Sequence, residues 1–115
     1  MITYWHNPRC SKSRAGLALL EDRGAEVQLR LYLKDAPALE EIKAVQAALG
    51  VPAIAMMRTG EAVFKELGLT KDSPQEALLA AMAAHPILIE RPIAIAGGKA
   101  AIGRPTEALE TSSAG

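Results

Sequence analysis

A single cysteine lies between a short apolar segment and a helix-forming segment, and this junction constrains the fold more than any other feature. Residues 1–5 have the composition of a β-strand. Residues 15–23 predict a helix that ends at Gly24. The turn between them reads His6, Asn7, Pro8, Arg9, Cys10, Ser11, Lys12, Ser13, Arg14. Cys10 therefore precedes a helix, where free N–H groups and the helix dipole stabilise a negative charge.

The charges of this turn favour a reactive thiol. Arg9, Lys12 and Arg14 bring positive charge close to Cys10, and His6 lies four residues upstream. Such surroundings lower the pKa of a cysteine and increase the fraction of the nucleophilic thiolate. The alternative is that Cys10 is a small buried hydrophobic residue, which is common for free cysteines.

Composition excludes several classes of protein. With 115 residues we expect one domain over residues 1–115. A formal net charge of zero and 3% aromatic residues argue against a nucleic-acid partner. Apolar runs are too short for a membrane span, and no signal-peptide pattern is present, so we expect a cytoplasmic protein without a membrane partner. One cysteine allows no internal disulfide, and no spacing of ligand pairs indicates a metal.

The first two-thirds of the chain predicts a strand, a helix, a second strand and then a helical block. Residues 27–33 are rich in strand-forming residues, and the crossover through the first helix implies a parallel pair. Helices are expected over residues 39–49, 52–57, 62–67 and 74–84, the last with Ser73 as its N-cap. The helical block therefore covers about residues 38–84.

Strand signals return after His85. A strand is expected at residues 87–89, and two apolar runs around Gly97-Gly98 predict a β-hairpin, followed by a short helix over residues 106–110. The order βαβ, helical block, ββα predicts an α/β fold with a mixed sheet, of the thioredoxin-like type with a helical insertion between its halves. In that fold a cis-proline commonly faces the redox cysteine, and Pro92 is the candidate.

The spacing around Cys10 determines what a redox cycle requires. Ser13 takes the place that a second cysteine has in a Cys-x-x-Cys pair, so an external thiol must complete any cycle. Arg58, Arg91 and Arg104 stand at junctions between elements, and the hairpin returns Arg91 and Arg104 to the sheet end near Pro92. Guanidinium groups around a thiolate can bind an oxyanion through paired hydrogen bonds. Spacing alone does not bring Arg58 into this group.

Several motifs together resemble the ArsC family, the glutaredoxin-coupled arsenate reductases of bacteria, and in particular a shorter branch of it. They are residues 6–14, Leu31-Tyr32-Leu33, residues 65–69, residues 85–88, residues 90–93 and Ile102-Gly103-Arg104-Pro105. The resemblance covers nearly the whole chain in order. It implies the same thioredoxin-like fold with a helical insertion.

The resemblance also implies roles for individual residues. Cys10 matches the nucleophile that attacks arsenate, His6 a residue that favours its thiolate, and Ser13 a hydroxyl close to it. The oxyanion-binding arginines correspond to Arg58, Arg91 and Arg104. Glutathione is then the external reductant, glutaredoxin is the protein partner, and no cofactor is bound.

Two other functions are compatible with the sequence. One is a glutathione-dependent thiol oxidoreductase that uses Cys10 on another substrate. The other is a Spx-like regulator that binds RNA polymerase and uses the same fold as a scaffold, although many such proteins carry a Cys-x-x-Cys switch that Ser13 rules out here.

Overall fold

The computed structural model describes residues 1–103. The chain divides into two compact units, one comprising Met1–Asp35 with the segment from Arg91 onward, the other Ala36–Glu90. The single domain expected over residues 1–115 stays a prediction. The helix expected over residues 106–110 lies outside the described residues. Among residues 1–103, none of the helices has the length and apolar character needed to cross a lipid bilayer.

The first unit is built on a four-stranded mixed sheet. Its strands are β1 (Ile2–Trp5), β2 (Val27–Arg30), β3 (Ile93–Ala96) and β4 (Lys99–Ile102), in the order β2-β1-β3-β4. β1 and β2 are parallel, whereas β3 is antiparallel to both β1 and β4. Helix α1 (Ser11–Asp22) connects β1 to β2. The predicted α/β class, the mixed sheet and the parallel first pair are confirmed.

Apolar side chains of α1 pack against this sheet. The buried cluster and the partly buried residues around it are Ile2, Tyr4, Leu20 and Ala94 with Leu17, Ala25, Val27 and Ala96. Apart from Ala25, which lies between α1 and β2, these residues come from α1 and three strands, and burying them fixes the helix on the sheet. The helix begins at Ser11, four residues earlier than predicted, because the Cys10 carbonyl accepts the N–H of Arg14 and closes the first turn.

The second strand is shorter than the sequence suggested. β2 ends at Arg30, which pairs with Trp5, the last residue of β1, so the chain beyond has no strand to pair with. Residues 31–35 instead form a turn in which the N–H groups of Lys34 and Asp35 donate to the Leu31 carbonyl at 2.9 and 2.8 Å. The Arg30 guanidinium closes it through the Asp35 carboxylate at 2.9 Å. The prediction of a strand to residue 33 was wrong.

The predicted hairpin is confirmed. Gly97 and Gly98 connect β3 to β4 with φ of +55° and +80°. A two-residue turn of this kind needs positive φ at both positions, which glycine adopts without a steric penalty.

The second unit is helical. It contains α2 (Leu39–Leu49), α3 (Ala62–Glu66) and α4 (Gln75–Ala84), with single 3₁₀ turns at Ala53–Met56 and Pro86–Leu88. The Gln75 side-chain oxygen accepts the Ala53 N–H at 2.8 Å and the Gln46 amide at 2.9 Å, which ties the start of α4 to the segment after α2. The predicted helical block is therefore confirmed, although residues 52–57 form only a short 3₁₀ turn.

Two local predictions in this unit were wrong. Residues 87–89 do not form a strand, because the N–H groups of Leu88 and Ile89 donate to carbonyls three residues earlier and leave a single bridge between Ile89 and Met57. Ser73 is not the N-cap of α4. Its hydroxyl accepts the Thr70 N–H at 2.9 Å, and Pro74 takes the N-cap position instead.

Candidate active site

The turn that carries Cys10 is held by its own backbone. The Cys10 N–H donates to the Asn7 carbonyl at 3.0 Å, and Cys10 occupies the N-cap position of α1 with extended backbone angles. Its side chain caps no backbone N–H of the helix. The half-buried sulfur therefore lies at the start of α1, where the N–H groups of the first turn have no carbonyl partner within the helix.

These N–H groups act on the thiol. Burial is the largest influence and raises the pKa of Cys10, but the nearby backbone N–H groups of Ser13 and Lys12 and the guanidinium of Arg91 lower it. Their combined effect is larger, and the pKa of Cys10 is lowered from its ordinary value. A lower pKa increases the thiolate fraction near neutral pH, which is the form that reacts as a nucleophile.

Arg91 reaches the thiol because of how β3 pairs with β1. Trp5 pairs with Ile93 in the antiparallel register, so the residues after Trp5 and those before Ile93 lie at the same end of the sheet. The Arg91–Pro92 peptide bond is cis, and the Pro92 carbonyl accepts the Gly103 N–H at 2.9 Å. From this position the Arg91 guanidinium both attracts the Cys10 thiolate and hydrogen-bonds to it.

Ser13 connects the first turn of α1 to β1 and to the loop. It is fully buried, and its hydroxyl lies 2.8 Å from His6 Nδ1 and accepts the Asn7 N–H at 3.0 Å. The Tyr4 hydroxyl donates to the Ser13 carbonyl at 2.7 Å. The Tyr4 hydroxyl, the His6 ring and the Asn7 N–H thus hold Ser13, whose own N–H lies near the thiol.

Burial determines the protonation states of His6 and Tyr4, the two titratable side chains that contact Ser13. Desolvation, aided by the positive charge of Arg14, lowers the pKa of His6, so the imidazole is neutral at pH 7. Because Ser13 Oγ already accepts the Asn7 N–H, its own hydrogen is available to Nδ1 of the neutral ring. Burial raises the pKa of Tyr4, which keeps its hydroxyl protonated and able to donate.

The other basic residues of the turn have different surroundings. Arg9, Lys12 and Arg14 are exposed. Arg14 Nη1 donates to the Pro8 carbonyl at 2.8 Å, which secures the loop from outside. Among the described residues, the groups that lower the pKa of Cys10 are Arg91 and backbone N–H groups, whereas His6 and Arg14 act on the residues around it. The thiolate-supporting roles of His6, Ser13 and Arg14 stay predictions.

Of the three predicted arginines, the structure brings Arg91 together with Cys10. Arg58 belongs to the second unit, where its guanidinium pairs with the Glu61 carboxylate. Arg104 lies outside the described residues. The oxyanion-binding role of the three arginines therefore stays a prediction. Within residues 1–103, no group of three or more His, Cys, Asp or Glu side chains is arranged to hold a metal ion.

Two residues of the site have contacts that sequence reasoning did not assign. Tyr4 could have been a simple core residue, but a phenol on a buried strand position requires a hydrogen-bond partner, and Ser13 supplies it. Asn7 orders the loop, since its side-chain oxygen accepts the Arg9 N–H at 3.0 Å. The preference of asparagine for such local turns was the available signal.

The fold defines a thioredoxin-like protein whose single cysteine lies at the start of α1. The ArsC family model matches residues 5–112, and the chain belongs to the ArsC family. An arsenate reductase from Neisseria meningitidis serogroup A is 51% identical over 113 residues, covering 95% of each chain. One from Haemophilus influenzae is 43% identical over 110 residues, covering 94% of this chain and 95% of the relative.

A solved structure gives the same result for the fold. The arsenate reductase from Vibrio cholerae superposes with a TM-score of 0.90 at 48% sequence identity, covering 95% of both chains. The resemblance predicted from the motifs around Cys10 and Arg91 is thereby confirmed at the level of family and fold.

Proposed function

We propose that this protein reduces arsenate to arsenite, with Cys10 as the nucleophile, glutathione as the reductant and glutaredoxin as the partner that regenerates the thiol. The relatives named arsenate reductase at 43–51% identity support the overall reaction. The observation that carries the proposal is geometric: Cys10 lies at the start of α1, and the register of β3 on β1 brings the Arg91 guanidinium to its thiol.

The chemistry requires two electrons and an external thiol. The Cys10 thiolate attacks arsenic, a sulfur–arsenic bond forms, and one arsenate hydroxyl leaves as water after taking up a proton. Glutathione then attacks the Cys10 sulfur. The sulfur–sulfur bond forms, the sulfur–arsenic bond breaks, and its electron pair stays on arsenic, which becomes arsenite. Cys10 has no second cysteine to resolve the mixed disulfide, so a glutaredoxin thiolate attacks the glutathione sulfur and releases the Cys10 thiolate.

We propose two roles for Arg91 in this reaction. It stabilises the thiolate before the reaction, and its planar guanidinium matches the oxygens of a tetrahedral oxyanion bound next to the sulfur. We propose that Arg58 and Arg104 complete the oxyanion site. The buried contacts of Ser13 with His6, Asn7 and Tyr4 hold the backbone N–H groups that face the sulfur.

A coupled assay tests the proposal. With glutathione and glutaredoxin present, the wild-type protein is expected to oxidise glutathione only when arsenate is added. Cys10→Ser is expected to abolish this activity, and Arg91→Ala to impair it severely. Arsenate-independent oxidation, or full activity of Cys10→Ser, would contradict the proposed function.

A further inference from the structure

A cleft of about 310 Å³ lies beside the cysteine turn, and nothing in the scheme above uses it. One wall is the loop before Cys10, residues 6–9, and the other is the turn after β2, formed by Leu31, Leu33 and Lys34. This volume is at the lower end of the range for sites that bind small molecules. The cleft therefore has room for a ligand of a few residues.

Both walls are held in place by local contacts. On the first wall, the Asn7 side chain accepts the Arg9 N–H and the Pro8 carbonyl accepts the Arg14 guanidinium. On the second, the Leu31 carbonyl accepts the N–H groups of residues 34 and 35. Because these bonds are made within the chain, they hold both walls in place, and little ordering cost would oppose binding.

The second wall exposes large apolar side chains that the core does not use. Tyr32 is buried and stacks on Trp5 with ring centroids 6.4 Å apart, whereas its neighbours Leu31 and Leu33 remain 37% and 44% exposed. These two leucines line the same cleft, so they differ from the single scattered apolar residues that need no explanation.

Two cationic side chains line the cleft beside Leu31 and Leu33. Arg9 comes from the first wall and Lys34 from the second. Neither side chain has an ion-pair partner within residues 1–103, whereas the nearby Arg30 is paired with Asp35. The positive charges of Arg9 and Lys34 therefore complement a ligand with carboxylates, and the apolar side chains of Leu31 and Leu33 complement its methylene groups.

We infer that this cleft binds glutathione for the reductive step, an inference that rests on the proposed function. Glutathione carries a carboxylate at each end, two peptide groups and a central thiol. An extended tripeptide spans roughly 10 Å, and Arg9 is adjacent to Cys10, with consecutive Cα atoms about 3.8 Å apart. The cleft is therefore lined by the direct neighbour of Cys10, and we place the thiol of the central residue of glutathione on the Cys10 side of Arg9.

S-methylglutathione tests binding without chemistry, because its blocked sulfur cannot attack Cys10. In a titration of the full chain followed by amide NMR, we expect the largest shift changes at Asn7 and over residues 31–34. Leu33→Glu and Lys34→Glu each place a negative charge in the cleft and are expected to weaken binding about tenfold or more, whereas Lys34→Arg keeps it. Leu67→Glu is the matched control, since Leu67 is also 44% exposed but lies in the second unit.

Kinetics separates this inference from the proposed function. In the arsenate assay, Leu33→Glu is expected to raise KM for glutathione about tenfold while kcat and KM for arsenate stay the same. Unchanged KM in both cleft variants, equal weakening by Leu67→Glu, or shift changes located away from the cleft would overturn the cleft assignment and leave the proposed function intact. Normal S-methylglutathione binding without any arsenate reduction would overturn the proposed function instead.

Discussion

Replacing Arg91 by glutamine removes a positive charge that faces the Cys10 thiolate while keeping a side chain of similar length. An adjacent opposite charge typically shifts the pKa of an acidic group by about 1–3 units. We expect the pKa of Cys10 to rise by about 1–2 units and not more, because the half-buried cysteine keeps the backbone N–H groups of Ser13 and Lys12 nearby.

The change in reactivity is smaller than the change in thiolate fraction. A thiolate of higher pKa is a stronger nucleophile, with a Brønsted coefficient of about 0.4–0.5. Below both pKa values, the alkylation rate of Arg91→Gln should therefore fall about 3- to 16-fold. Above both pKa values, where each thiol is fully ionised, the variant should react about 2.5- to 10-fold faster, so the two pH profiles cross.

The single cysteine makes the assay direct. The rate of reaction with iodoacetamide, measured against pH, gives the pKa of Cys10 without interference from another thiol. Thiolate absorbance in the ultraviolet provides an independent titration. Both measurements use the protein without arsenate, glutathione or glutaredoxin.

Arg14→Gln is the matched control for charge. It removes a guanidinium from the same turn, but Arg14 donates to the Pro8 carbonyl and is exposed. Because Arg14 is not among the groups that lower the pKa of Cys10, the pH profile of Arg14→Gln should shift less than that of Arg91→Gln. An unchanged profile for Arg91→Gln would refute the assignment of Arg91 as a stabiliser of the thiolate, whereas an equally large shift for Arg14→Gln would show that Arg14 supports the thiolate as well.

Three further variants test the buried contacts around Ser13. Tyr4→Phe removes one buried hydrogen bond and should lower the free energy of unfolding by about 1 kcal/mol in urea titrations; no change would show that the bond is not stabilising. Ser13→Ala leaves the Asn7 N–H without its partner and should cost about 1–3 kcal/mol, against almost nothing for Ser11→Ala at an exposed position. Because the pKa of His6 is lowered on folding, the unfolded state binds the proton more tightly, so stability is retained above about pH 6.5 and falls as the pH decreases below it. In His6→Gln this part of the pH dependence should disappear, and an identical slope in both proteins would contradict it.

Features that depend on neighbouring residues in the chain could be predicted from the sequence. The order of strand, cysteine turn and helix needed only the apolar run before His6 and the glycine after residue 23. The hairpin at Gly97-Gly98 required positive φ at two adjacent residues, which the dipeptide itself signals. The closeness of Arg91 to Cys10 also followed from topology, since β3 returns the chain to the end of β1.

Features that depend on a distant partner could not be predicted in this way. Residues 31–33 and 87–89 have strand-forming composition, but β2 has no neighbour beyond Arg30 and Ile89 makes only one bridge. The contact between Tyr4 and Ser13 joins residues nine positions apart on different elements. Composition shows that such a hydroxyl needs a partner, and only the packing of α1 on the sheet determines which partner it finds.

If Cys10 carries the proposed reduction, it passes through a covalent cycle with glutathione that depends on arsenate. Intact-protein mass spectrometry after incubation with arsenate and glutathione, without glutaredoxin, detects the intermediate of this cycle. We expect the protein to gain the mass of one glutathionyl group only when arsenate is present, and to lose it again when glutaredoxin is added. A chain that stays unmodified, or that gains the same mass without arsenate, would rule this cycle out.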